Sequence, residues 1–133
     1  MARPAQEPTF LPLTISTAGT VSADPRIHTA ALRADAAAAE CWAALLAGCD
    51  APGRRQLPWR LRELADETLM YAGPAWWNGA GFGHRTRIGQ ARVRLEEAVS
   101  ERDGAEFAEA FVGYDQAVAT ALVRAHNTTR MTS

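Results

Sequence analysis

The chain has 133 residues, 47% of them hydrophobic and 22% charged, with 14 basic residues against 15 acidic. That length fits one domain, and the composition excludes a disordered chain. The near-neutral balance argues against a general polyanion binder and makes nucleic acid an unlikely partner. All the basic residues are Arg, Lys is absent, Ala is abundant, and Asn and Ile are scarce. This usage reads as the codon bias of a high-GC bacterial genome.

Residues 1–23 are expected to form an extended N-terminal arm. Pro4, Pro8 and Pro12 discourage a helix, and Leu11, Leu13 and Ile15 alternate so that an extended segment would place all three on one side. Such an arm either stays loose or docks along its own helices or those of a second copy. With Arg3 its only positive charge and two prolines in the lead-in, the segment does not read as a secretory signal.

The first helix is predicted over about 25–48. Asp24 suits the N-cap and Pro25 the first turn. Ile27, Ala31, Ala34, Ala38, Cys41, Trp42 and Leu45 form one stripe at 100° per residue, and Gly48 ends it. Small side chains along that stripe allow close approach, so the helix should sit centrally. Cys41 and Cys49 do not make a disulfide framework. Both are expected as free thiols in a reducing cytoplasm, Cys41 inert through burial.

The second helix is predicted over about 58–72, opened by Pro58, stopped by Gly73 and buried through Leu61, Leu64, Ala65, Thr68, Leu69 and Ala72. Residues 73–83, GPAWWNGAGFG, hold four glycines and a proline, which argue against a regular helix through the stretch. Two tryptophans and a phenylalanine nevertheless make it more apolar than an ordinary loop. The third helix is predicted over about 84–101, with Ile88, Ala91, Leu95, Ala98 and Val99 inward and Gly89 marking either a weak point or a close crossing. Asp103 and Glu106 form a D-x-x-E variant of the capping box ahead of a fourth helix over about 104–126. Its stripe runs from Phe107 through Phe111, Tyr114, Val118 and Leu122 to Ala125, with Asn127 as cap and residues 128–133 as a frayed tail. The fold expected is all-α: a four-helix bundle over 24–127.

Chemical motifs are few. His28, His84 and His126 stand apart in sequence, and neither a Glu-x-x-His pair nor C-x-x-C occurs, so no metal or other cofactor is assigned. No G-x-S-x-G or comparable nucleophile pattern is present, and the pattern as a whole leans away from an enzyme. No apolar run of about 18 residues suggests a membrane span. Residues 54–94 carry eight Arg against three acids and residues 95–115 seven acids against Arg102. Arg85, Arg87, Arg92 and Arg94 should therefore face acidic groups on a neighbouring helix or subunit.

The residues singled out for binding are Trp76, Trp77, Asn78, Phe82, His84, Arg85 and Arg87. The reading placed first is a small non-catalytic bacterial adaptor acting through protein–protein contact, with self-association as a homodimer one form of it. Trp and Arg are the residue types that most often dominate interface energy. The alternative is a protein or small enzyme with a pocket under the 73–87 loop. There Arg85 and Arg87 would hold an anionic ligand at the start of a helix, with His84 able to transfer a proton. A loop that merely plugs the bundle's end, and a nucleic-acid-associated regulator using the tryptophans for stacking, are the other readings.

Overall fold

The computed structural model describes residues 9–21, 25–49 and 52–132, and the described residues are all helical apart from short connections, with no strand. Their helices are α1 (Pro12–Val21), α2 (Arg26–Ala47), α3 (Pro52–Ala72), α4 (Pro74–Asn78), α5 (Phe82–Ser100) and α6 (Gly104–Thr132). The four helices read from the sequence are present as α2, α3, α5 and α6. The all-α class therefore holds, but the helix count is six, not four.

Helix α2 is central, as its alanines predict. It packs on α1, α3 and α6, and besides the expected stripe it buries Ala30, Ala37 and Ala44. Gly48 ends it with φ 70°. Asp24, the expected N-cap, lies outside the described residues. Helix α6 pairs with α5 and carries the aromatic core, with Phe107, Phe111 and Tyr114 almost wholly buried. One continuous cluster joins Leu11, Ala34, Cys41, Leu61, Leu95, Phe111 and Leu122. Burial raises the Cys41 thiol to about 11 against the opposing charge of Arg54.

The extended arm is corrected. Residues 12–21 are a helix, and the alternation fails with it: Leu11 is fully buried, whereas Leu13 is 48% exposed. Pro12 does not break this helix because it stands at its first position, where its missing N–H is no loss. The N-terminus is instead held by carboxylates from far along the chain. Asp35 Oδ1 accepts the backbone N–H groups of Phe10 (2.7 Å) and Leu11 (3.0 Å). Asp115 accepts those of Leu13 (3.0 Å) and Thr14 (2.8 Å). A carboxylate against a helix N-terminus also meets the positive end of its dipole, which is how Asp115 can be buried. The remainder of the proposed arm, residues 1–8, 22 and 23, lies outside the described residues.

Two boundaries move as well. Helix α3 opens at Pro52, and Pro58 sits inside it. The hydrogen bond lost at Pro58 is the one its missing N–H would make to the Arg54 carbonyl; Leu57 and Leu61 to either side are buried, and their packing holds the turn. Helix α6 continues past Asn127 to Thr132, so Asn127 is not its cap; no Gly or Pro stands there to stop it. The capping box closes only halfway. Asp103 Oδ1 accepts the Glu106 N–H at 3.0 Å, but the Glu106 side chain turns to Arg94 Nε. Gly89 marks no crossing, since nothing lies close to it.

Candidate functional site

The 73–83 segment is not a plain loop. Gly73 leaves α3 at φ 85°, and Pro74 then opens the single-turn helix α4. Of the glycines that argued against helix, Gly73 and Gly79 flank α4, Gly81 precedes α5 and Gly83 lies in its first turn. Pro74 occupies the first helical turn, where proline is favoured. After α4 the chain turns back at 79–81. A Cβ on Gly81 would fall 2.3 Å from the Trp76 ring, so the turn can pass the indole only without a side chain.

This short helix holds two adjacent tryptophans with different fates. Trp77 is 4% exposed and forms one wall of a hollow of about 340 Å³. From α3 the hollow is bounded by Leu64, Thr68 and Leu69, from α5 by Ile88, and from α6 by Tyr114 and Val118. Asp66, Asn78 and Arg85 supply its polar edge, with Arg85 Nη1 donating to Asn78 Oδ1 at 3.0 Å. Burial holds the Tyr114 phenol pKa well above its ordinary value, opposed by the charge of Arg92, so the group stays a neutral O–H. The walls are mainly apolar with a few polar groups, and the volume lies within the range of small-ligand sites.

The Trp77 indole N–H is sealed from water and has no hydrogen-bond partner. It is the one such side-chain atom among the described residues. A buried donor left unpaired costs about 1–3 kcal/mol.

Trp76 is half-buried. It meets Trp77 edge-on at 5.0 Å and lies parallel to the His84 ring, 6° between planes at 5.8 Å. His84 and Arg87 line a second, more open hollow of about 400 Å³ between α5 and α6. Burial, then the charges of Arg87 and Arg124, hold the His84 pKa below its ordinary value. Phe82 is 58% exposed.

The residues expected to act together are thus divided. Trp77, Asn78 and Arg85 belong to the first hollow, and His84 and Arg87 to the second. Arg85 and Arg87 cannot converge on one anion, because positions two apart on a helix point about 200° away from each other. Of the arginines expected to meet acids, Arg94 pairs with Glu106 on α6. Sequence reading missed Leu64, Thr68, Tyr114 and Val118 as binding walls, since each carries the spacing of an ordinary core residue. The half-exposed Leu69 shows that the predicted stripe of α3 is only partly covered, and the hollow occupies that gap. No group of three or more His, Cys, Asp and Glu among the described residues is placed to hold a metal ion. No described helix is long and apolar enough to cross a membrane. No protein-family model, curated protein or solved structure matches the chain.

Proposed function

We propose that this chain is a non-catalytic binding protein whose ligand is a small, mainly apolar molecule with one hydrogen-bond acceptor, seated in the hollow beside Trp77. The observation that carries this reading is a mainly apolar hollow walled by Trp77, whose buried indole N–H has no partner within the fold. A carbonyl or ether oxygen on a ring-sized ligand would satisfy that donor while the ring covers Leu69, Ile88 and Val118. The Asp66, Asn78 and Arg85 edge would orient any polar tail.

The test compares 2-acetylnaphthalene with 2-isopropylnaphthalene, which has nearly the same shape but no acceptor. Binding to the folded state raises Tm by mass action. The acetyl compound is expected to raise Tm more than the hydrocarbon. Ala65→Phe, which fills the hollow from α3, should abolish the rise. If neither compound raises Tm, or Ala65→Phe leaves the rise intact, the reading fails.

Contact with a protein partner or a second copy is the second reading. The exposed apolar side chains favour it, above all Met70, Trp59 and Phe82. Trp77, one of the anchors expected with Trp76, Phe82 and Arg87, is withdrawn from any such surface. A homodimer would show as a concentration-dependent sedimentation coefficient weakened by Phe82→Ser.

A further inference from the structure

The groove between α5 and α6 lies on the far side of α5 from the Trp77 hollow and is chemically unlike it. Its lining from α5 includes His84, Arg87, Gln90 and Arg94, and from α6 Gln116 and Thr120. These are donors or cations, and no carboxylate lines the groove. Arg94, at one end, is engaged by Glu106 and feels Glu109 as well. Towards the other end neither Arg87 nor Arg124 forms an ion pair with a carboxylate among the described residues.

The spacing explains the clustering. Residues 84, 87 and 94 fall near one line along α5, and 116, 120 and 124 along α6. Two packed helices thus present two rows of polar groups to the same trough; Arg124 lies just outside it, in the adjoining hollow that shares Gln116 and Thr120, close enough for its charge to act on His84. Guanidinium groups left together without a counter-ion repel, and a concave surface focuses their field.

We infer that this groove binds the dianionic oxyanion of a phosphate-type group, with Arg87 and Arg124 as its charge partners and Thr120 and Gln116 as neutral donors. This site is independent of the hollow beside Trp77. Charge-assisted hydrogen bonds from arginine suit such a group in both charge and geometry. The parallel contact with Trp76 holds the His84 ring over the groove. The charged groups acting on His84 are Arg87 of its own helix and Arg124 of α6, while α4 presents only the neutral indole. Both cations disfavour imidazolium in the free protein. A bound dianion reverses that field, so binding takes up a proton and tightens as pH falls through the His84 titration.

The full chain is titrated with sulfate, inorganic phosphate and phenyl phosphate, with ionic strength held constant by chloride. Binding is followed by calorimetry and by the His84 ring resonances. Saturable binding of the dianions is expected, with an upward shift of the His84 midpoint and tighter sulfate binding at lower pH. Arg87→Gln and Arg124→Gln should each weaken binding about tenfold, the loss of one charge-assisted contact. Arg62→Gln, an equal change of net charge on α3, should not. Tighter binding of phenyl phosphate than of inorganic phosphate would assign the site to phosphate esters; the reverse would assign it to the free anion. Equal response to chloride and sulfate, or equal weakening by Arg62→Gln and Arg87→Gln, would overturn the inference.

Discussion

Around α1, every backbone donor at the buried start of the helix is met. Asp35 and Asp115 take four N–H groups between them, and the Thr14 hydroxyl donates to the Asp115 carbonyl at 3.2 Å. Phe10 seals the place against Trp42, Phe107 and Phe111, with ring centroids 5.4–5.9 Å apart. Around α4, by contrast, a buried indole N–H has no acceptor, an apolar hollow opens beside Trp77, and Arg87, in the groove beyond, has no carboxylate partner among the described residues. Both regions use the same helices α5 and α6 or their neighbours, so the difference is not one of overall packing quality. The first region is complete without any other molecule. The second holds an unpaired buried donor beside one hollow and a cation without a carboxylate among the described residues in the other, and each names the chemistry that would complete it.

Substitutions can break this contrast in order of expected size. Asp115→Ala strands two N–H groups at a buried helix end and should cost about 4 kcal/mol, since each unmet buried donor costs about 1–3 kcal/mol; urea denaturation measures it. A cost under about 1 kcal/mol would mean the α1 clasp is not closed. Gly81→Ala drives a methyl into the Trp76 ring and should cost about 2 kcal/mol by overpacking, read from the same denaturation curves. Trp77→Phe removes a donor that was never paired, which offsets the smaller ring, so stability should change by less than about 1 kcal/mol. The same variant should weaken 2-acetylnaphthalene roughly fivefold, the worth of one ordinary hydrogen bond. The smallest effect concerns thiols. Cys49 is exposed and Cys41 buried, with the Cys41 thiol raised to about 11. A disulfide reagent at neutral pH should therefore label one thiol rapidly and the second only on unfolding.

The amphipathic stripes of α2 and α6 were readable because burial alone decides them: nearly every predicted inward residue of these helices is buried. The helix of residues 12–21 was not readable. Its prolines and alternating apolar residues argue for extension, and what overrides them are carboxylates 24 and 102 positions away in sequence. No local pattern encodes a cap supplied from another helix. Pro58 misled in the same way, because burial of its neighbours outweighed one lost hydrogen bond. At the candidate site, the Trp/Gly segment stood out on composition alone, and Trp77, Asn78 and Arg85 do meet in one hollow. The division of Arg85 from Arg87 follows from helical geometry. It was already implied by the predicted helix from His84, which holds both residues, although their closeness in sequence groups them.

The indole N–H resonance of Trp77 tests the central idea most directly. In a ¹H–¹⁵N spectrum of the full chain titrated with 2-acetylnaphthalene, that signal should move downfield and saturate as the N–H gains an acceptor, while the other three indole signals move less. A Trp77 signal that stays fixed while the compound binds, or that shifts equally with 2-isopropylnaphthalene, would contradict the account.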